Sequence, residues 1–343
     1  MKLACCFRFF VFCLIALFPV LNGYASPQPQ PAVKAALAAQ SLLTDIVVLE
    51  SNRLVAVGER GHIIWSDDGS VWQQAAVPVR SNLTAVYFID DQHGWAVGHD
   101  ATIVHSTDGG ESWQLQQFAP ELDKPLLDVV FQDSNHGLAI GAYGLMFRTE
   151  NSGQTWHIES HIELLDEDEQ AYLLELKDDD PELYTLELSA IFPHFNRMYR
   201  DGDLLLMVGE AGFFAISEDF GRHWEMQDAF YHGSLFDITM INPQQWLAVG
   251  LRGHIFLTED EGDFWQEIVL NSQATINSVV IVDDVIYLTG NAGLWATSID
   301  AGQTFSAMTA AEGRPIVNAV PFQNKMILVT ELGIQTVDLK KPE

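Results

Sequence analysis

Leu83-Thr84-Ala85-Val86-Tyr87-Phe88 is apolar and β-rich, and the polar turn Asp90-Asp91-Gln92-His93 follows it. Gly94-Trp95-Ala96-Val97-Gly98 reads as a second strand. His99-Asp100 then turns into Ala101-Thr102-Ile103-Val104-His105, and Asp108-Gly109-Gly110 turns into Ser112-Trp113-Gln114-Leu115. Four short β-rich runs separated by Gly and Asp turns predict a four-stranded antiparallel meander. The unit recurs. Gly61, Gly144, Gly212, Gly253, Gly293 and Gly333, with Ala101 in the same slot, are spaced by 40, 43, 68, 41, 40 and 40 residues. A period near 40 marks one supersecondary unit repeated along the chain. Seven slots predict an all-β fold, a seven-bladed β-propeller of four-stranded blades. First strands are expected near Leu43, Leu83, Leu127, Leu188, Leu235, Ile276 and Val317. The last unit shows three clear strands. The stretch Val33 to Gln40 is expected to add the fourth or to form a short helix.

The turn before each late aromatic carries its own signature. Ser106-x-Asp108-x-Gly110-x-x-Trp113 returns around Asn151 and Trp156, Asp219 and Trp224, Asp260 and Trp265, and Asp300 and Phe305. Unit one, with Asp68 and Trp72, is one residue shorter. A short Asp or Asn oxygen accepts backbone N–H groups in such a turn, and Gly supplies the left-handed geometry. The indole is expected to pack beneath, its N–H reaching a carbonyl.

These turns resemble Asp-box (BNR) repeats. The whole chain after its leader, with G-x-x-G between second and third strands, resembles the photosystem II stability/assembly factor propellers. That resemblance implies Asp-boxes that are folding elements on the face away from the site. It implies an exported protein in bacteria without photosynthesis, and arginines on the turn face that dock a partner, matched here by Arg60 and Arg252. The chain departs from that pattern, because few other basic groups and several acids occupy the face.

Residues 1–25 read as an export signal: Lys2 and Arg8 precede the apolar run Phe9 to Val20, and Gly23 and Ala25 suit a peptidase. The apolar run is too short to cross a bilayer core of about 30 Å as a helix. All 3 cysteines (Cys5, Cys6, Cys13) fall inside it, which excludes a disulfide framework or thiol chemistry in the remaining chain. A periplasmic location is expected. Residues 26–32, with Pro27, Pro29 and Pro31, read as a linker, and 33–343 as the propeller. The formal charge of −30 excludes nucleic acid as a partner and disfavours anionic membrane surfaces. A protein partner, in a membrane-associated complex, is the expectation for a monomeric propeller without cofactor.

The turns between second and third strands share one face with the connections between blades, where ligands bind such folds. The candidates there are Glu59, Arg60, His99, Asp100, Tyr143, Glu210, Arg252, Asn291 and Glu331, as partner contacts or as solvated turns. Asp45, Asp128 and Asp237 take one position in the first strands of units one, three and five, facing Ala85, Ala190, Ser278 and Ala319. They are read as bonding amides of the neighbouring blade, as ligands of an axial cation such as calcium, or as a glycoside-cleaving pair. No nucleophile–base set is identifiable, so catalytic residues are expected to be absent.

The step of 68 residues exposes an acidic insertion at about 160–186. Between Glu159 and Glu187 there are 12 acids against Lys177, a net −11. Leu165, Tyr172, Leu173 and Leu176 at helical spacing predict a helix near 164–177, ended by Asp180-Pro181. The segment is read as a solvated loop or as a flap that docks on a partner.

Overall fold

A computed structural model describes residues 28–339; the expected signal at 1–25, with its cysteines, lies outside the described residues. Seven antiparallel sheets form in chain order, six of four strands and one of three. Their innermost strands are Leu43–Val48, Leu83–Phe88, Leu126–Phe131, Phe195–Asp201, Leu235–Met240, Ile276–Val282 and Ile316–Phe322. Each lies beside the next, and the seventh returns to touch the first, which closes the propeller. Second strands such as Leu54–Gly58 and Gly94–Gly98 are buried along their whole length. They are sandwiched between neighbouring blades, so they read as continuous apolar runs rather than alternating ones.

The G-x-x-G pattern has a steric cause. A methyl group on Gly58 would collide with the Leu42 carbonyl oxygen at the entry to the same blade's inner strand. One on Gly61, at φ +70°, would collide with the Val79 carbonyl oxygen of the connection to the next blade. In blade seven the same part is played across the chain ends: Gly333, at φ +88°, abuts the Ala39 carbonyl oxygen. The short 3-10 helix Ala38–Gln40 therefore stands where every other blade has a covalent connection.

The expected fourth strand of blade seven does not form among the described residues. The chain before Ala38 runs along blade one instead. Ala32 N–H donates to the Val77 carbonyl at 2.9 Å, and Ala35 N–H to the Gln74 side chain at 2.7 Å. Arg80 Nε donates to the Pro31 carbonyl at 2.8 Å. These bonds hold the segment on the other side of the junction.

Blade four also differs from the expectation. Its inner strand starts at Phe195, whereas Leu188 ends a second insertion helix. The insertion comprises α1 (Glu167–Asp179) and α2 (Pro181–Leu188). Asp166 caps α1 by accepting Glu169 N–H, and Asp180 caps α2 by accepting Leu183 N–H. Pro181 opens α2 because the first helical position needs no N–H donor. Leu164, Leu165 and Leu173 bury themselves with Phe192, Phe195, Phe213 and Trp224 in one cluster.

Candidate functional site

Strand register fixes which side chain of each inner strand reaches the axis. Asp45 pairs with Val57, Ala85 with Val97, Asp128 with Ile140 and Arg197 with Val208, each just after a bulge. Asp237, Ser278 and Asn318 complete the ring. Arg197 thus holds the place expected for Ala190, and Asn318 that expected for Ala319. The insertion broke the period just where blade four begins. Counting back 12 residues from Gly209 reaches Arg197, the same offset that separates Ser278 from Gly290.

The three axial aspartates bridge blades through backbone amides, the first of the readings open for them. Asp45 accepts Ile46 N–H at 3.0 Å and Val86 N–H at 2.9 Å. Asp128 accepts Val129 N–H at 2.9 Å and Met198 N–H at 2.7 Å. Asp237 accepts Ile238 N–H at 2.9 Å and Val279 N–H at 2.8 Å. Asn318 donates to Asp45 and accepts from the Ser278 hydroxyl.

The positive charge that three carboxylates require comes from the chain itself, which corrects the axial-cation reading. The Arg197 guanidinium lies 3.5 Å from Asp128, 3.9 Å from Asp45 and 3.9 Å from Asp237. Burial works against its charge, yet the three carboxylates raise its pKa above the ordinary value. Burial lifts Asp128 to about 6 against the opposing pull of Arg197, and it raises Asp237 as well. Among the described residues, no group of three or more His, Cys, Asp or Glu is placed to hold a metal.

Arg197 separates the two mouths of the channel. The mouth on the turn face is a cavity of about 340 Å³ bounded by Thr44, Thr84, Asn196, Phe236 and Asn277. Several of these stitch blades together: Thr44 donates to the Leu83 carbonyl, Thr84 to Leu126, Asn196 to Leu235 and Asn277 to Ile316. The opposite mouth, about 430 Å³, is bordered by Tyr87, Tyr199, Ile281 and Pro321.

On the turn face, the middle residue of each tight turn adopts a left-handed conformation: Arg60 (φ 57°), Asp100 (60°), Tyr143 (51°), Ala211 (54°), Arg252 (59°) and Ala292 (55°). The fold brings the expected partner residues to one face but pairs many of them locally. Asp100 accepts the Ser81 hydroxyl at 2.6 Å, Asn291 accepts Asn277 at 3.1 Å, and Glu331 meets Arg314 at 3.1 Å. Glu210 lies 3.4 Å from His194, whose ring meets Tyr143 edge-on at 4.5 Å. His99 is exposed, its backbone N–H held by the Asn82 carbonyl. Arg60 is 76% exposed and only 3.8 Å from Glu59 at its nearest, and Arg252 is also exposed. These two are the turn-face arginines left to solvent.

The Asp-boxes lie at the other end of the blades, where they bond to the turns between first and second strands, as Gly109 does to Gln92 and Ser152 to Asn135. In each, a Ser or Thr hydroxyl donates to the Asp or Asn oxygen, which also accepts a backbone N–H. Ser112 N–H meets Asp108 at 2.9 Å, Thr155 N–H meets Asn151 at 2.9 Å and Phe264 N–H meets Asp260 at 2.9 Å. Val71 and Ser70 amides hold Asp68 down at about 2, and the Thr304 hydroxyl and amide do the same for Asp300. In Asp219, bonds from His223 outweigh burial and bring it to about 2. Trp113, Trp156 and Trp224 are buried beneath, while Trp72 and Trp265 are half-buried. The Trp113 indole donates to the Gly110 carbonyl at 3.0 Å, as expected, but Trp156 turns to Gln116.

Residues 64–125 match the family model described as Photosynthesis system II assembly factor YCF48. The photosystem II assembly protein Ycf48 of Thermosynechococcus vestitus is 36% identical over 47 residues. That stretch spans 14% of each chain. Among solved structures, YCF48 bound to D1 peptide superposes with a TM-score of 0.66 at 18% identity, covering 91% of this chain and 100% of that one. YCF48 from Cyanidioschyzon merolae gives 0.66 at 18%, covering 87% and 95%. The GH74 xyloglucanase from Xanthomonas campestris gives 0.65 at 12%, covering 91% and 54%. Family model, curated relatives and solved neighbours together support placing the chain with the Ycf48-like propellers built from BNR repeats.

Proposed function

We propose that this chain is a non-enzymatic, exported propeller of the periplasm that binds protein, as an assembly or accessory factor for a membrane complex such as a transporter. The observation that carries this reading is the ring of left-handed turns, which hold Arg60, Tyr143 and Arg252 exposed on a rigid platform. The Ycf48-like relatives, one solved with a bound D1 peptide, support protein binding as its use. A hydrolytic reading has less to stand on. Both oxygens of Asp45, Asp128 and Asp237 are spent on backbone amides, and Arg197 stands among them. Export rests on the leader sequence.

The test is a crosslinking pull-down from periplasm with the native chain and an Arg60→Glu, Arg252→Glu variant. The variant is expected to lose a reproducible membrane-protein partner while melting at the native temperature. Unchanged capture rejects the turn face as the docking surface. Cleavage of a polysaccharide panel, lost in Asp237→Asn, would overturn the non-enzymatic reading.

A further inference from the structure

The acidic insertion is anchored at both ends but leaves space beneath it. Leu164, Leu165 and Leu173 fasten its first half into the core. Lys124 fastens its end, donating to the Ser189 carbonyl at 2.5 Å and the Tyr143 carbonyl at 3.3 Å. Between the insertion and blade four lies a groove of about 530 Å³. Its apolar floor includes Leu164, Ile191, Phe192 and Phe213, with Met226 still 40% exposed at its edge. The lining carries Asp166, Glu169 and Glu210 and no basic residue.

We propose that this groove takes a peptide segment of a partner protein in which a bulky apolar side chain is flanked by lysine or arginine. The inference rests on the protein-binding reading and names the chemistry of one contact. The apolar floor gains by being covered, and the adaptable Met226 thioether can conform to the side chain that covers it. Charge selects the flanks. The nearest cation, Lys124, is already committed to two carbonyls, while the insertion brings a net −11 to one side. Such a field draws in basic segments and repels acidic ones. A second copy of this chain, at −30, and an anionic lipid surface are both disfavoured.

The probe is a set of three labelled ten-residue peptides (Lys-Leu-Lys centred, Lys-Ser-Lys centred and Glu-Leu-Glu centred), titrated by fluorescence anisotropy into the full chain. The lysine–leucine peptide is expected to bind, and the serine peptide to bind about tenfold more weakly, as loss of a half-buried leucine implies. The glutamate peptide is expected not to bind. Ala229→Trp, a substitution at an exposed lining residue that fills the groove, should abolish the preference for leucine. Glu169→Lys should weaken binding and reduce its salt dependence. Equal binding of leucine and serine peptides, no binding of any, or an unaltered affinity in Ala229→Trp overturns the proposal. Self-association of the chain that Ala229→Trp removes would assign the groove to a second copy and overturn it too. Partner capture that survives while peptide binding fails sinks the groove alone; failure of both sinks the functional reading.

Discussion

Arg197 of blade four sits 3.5 Å from Asp128 of blade three, and the same guanidinium reaches Asp45 and Asp237 of blades one and five. One cation thus neutralises part of the charge of three inner strands that lie far apart in sequence. Replacing it with Met leaves three buried carboxylates without a counter-charge, a loss of about 3–5 kcal/mol at neutral pH. The carboxylates of such a variant would keep protons more strongly in the folded state, so acidification offsets part of the loss. Thermal melts should therefore show a gap to the native chain that narrows from pH 7.5 to pH 5. A gap of constant size would separate Arg197 energetically from the aspartates.

Asp128 gives the complementary pH test. Its folded pKa of about 6 lies above the usual unfolded carboxylate value near 4. The folded state therefore binds the extra proton between those limits, and this group's contribution to stability falls as pH rises through that window. Asp128→Asn removes the titration. The stability of the variant relative to the native chain should climb by about 2 kcal/mol from pH 4 to pH 6.5. Urea midpoints at the two pH values read it directly, and a flat difference would refute the buried-carboxylate account.

In the Asp-boxes, Asn151 shows that an amide oxygen can close the turn as well as a carboxylate. Asp108→Asn is expected to melt within about 0.5 kcal/mol of the native chain, and Asp108→Ala about 1–2 kcal/mol below it, since Ser106 and Ser112 lose their acceptor. Equal losses in the two variants would mean that charge, not acceptor geometry, matters there.

His161, where the insertion leaves blade three, bridges Glu163 at 2.7 Å and Glu159 at 3.4 Å. Burial opposes its protonation, but the two glutamates carry its pKa above the ordinary value. A raised histidine contributes its full stabilisation below the unfolded pKa of about 6.5 and loses it as pH rises through the folded value. Amide exchange of residues 160–173, corrected for intrinsic rates, should be faster at pH 8.5 than at pH 6. In His161→Gln that difference should vanish.

The repeat was legible because its marks are local. Each Asp-box and each G-x-x-G answers to contacts within a turn or to one carbonyl nearby, so Asp108 and Gly58 declare their roles in any register. The axial ring is not local. Arg197 acquires its meaning from blades one, three and five, and the insertion removed the count that would have aligned it with Asp45. Pro181 misled for a different reason: it ends one helix in sequence patterns but serves as the first residue of another here. The stretch before Ala38 was open between strand and helix, and its bonds to Gln74, Val77 and Arg80 decided the matter through partners on another blade.

The meeting of Ala39 with Gly333 has a mechanical consequence. Six of the seven blade boundaries are crossed by the polypeptide itself; the remaining one is a clasp, fastened by side chains and shape. Thermal excursions that spread the wheel begin most cheaply at such a clasp, since no chain connectivity resists them. Joining the two ends by a short tether would convert it into a seventh continuous boundary, and a new pair of termini cut elsewhere would simply relocate the weakest spoke.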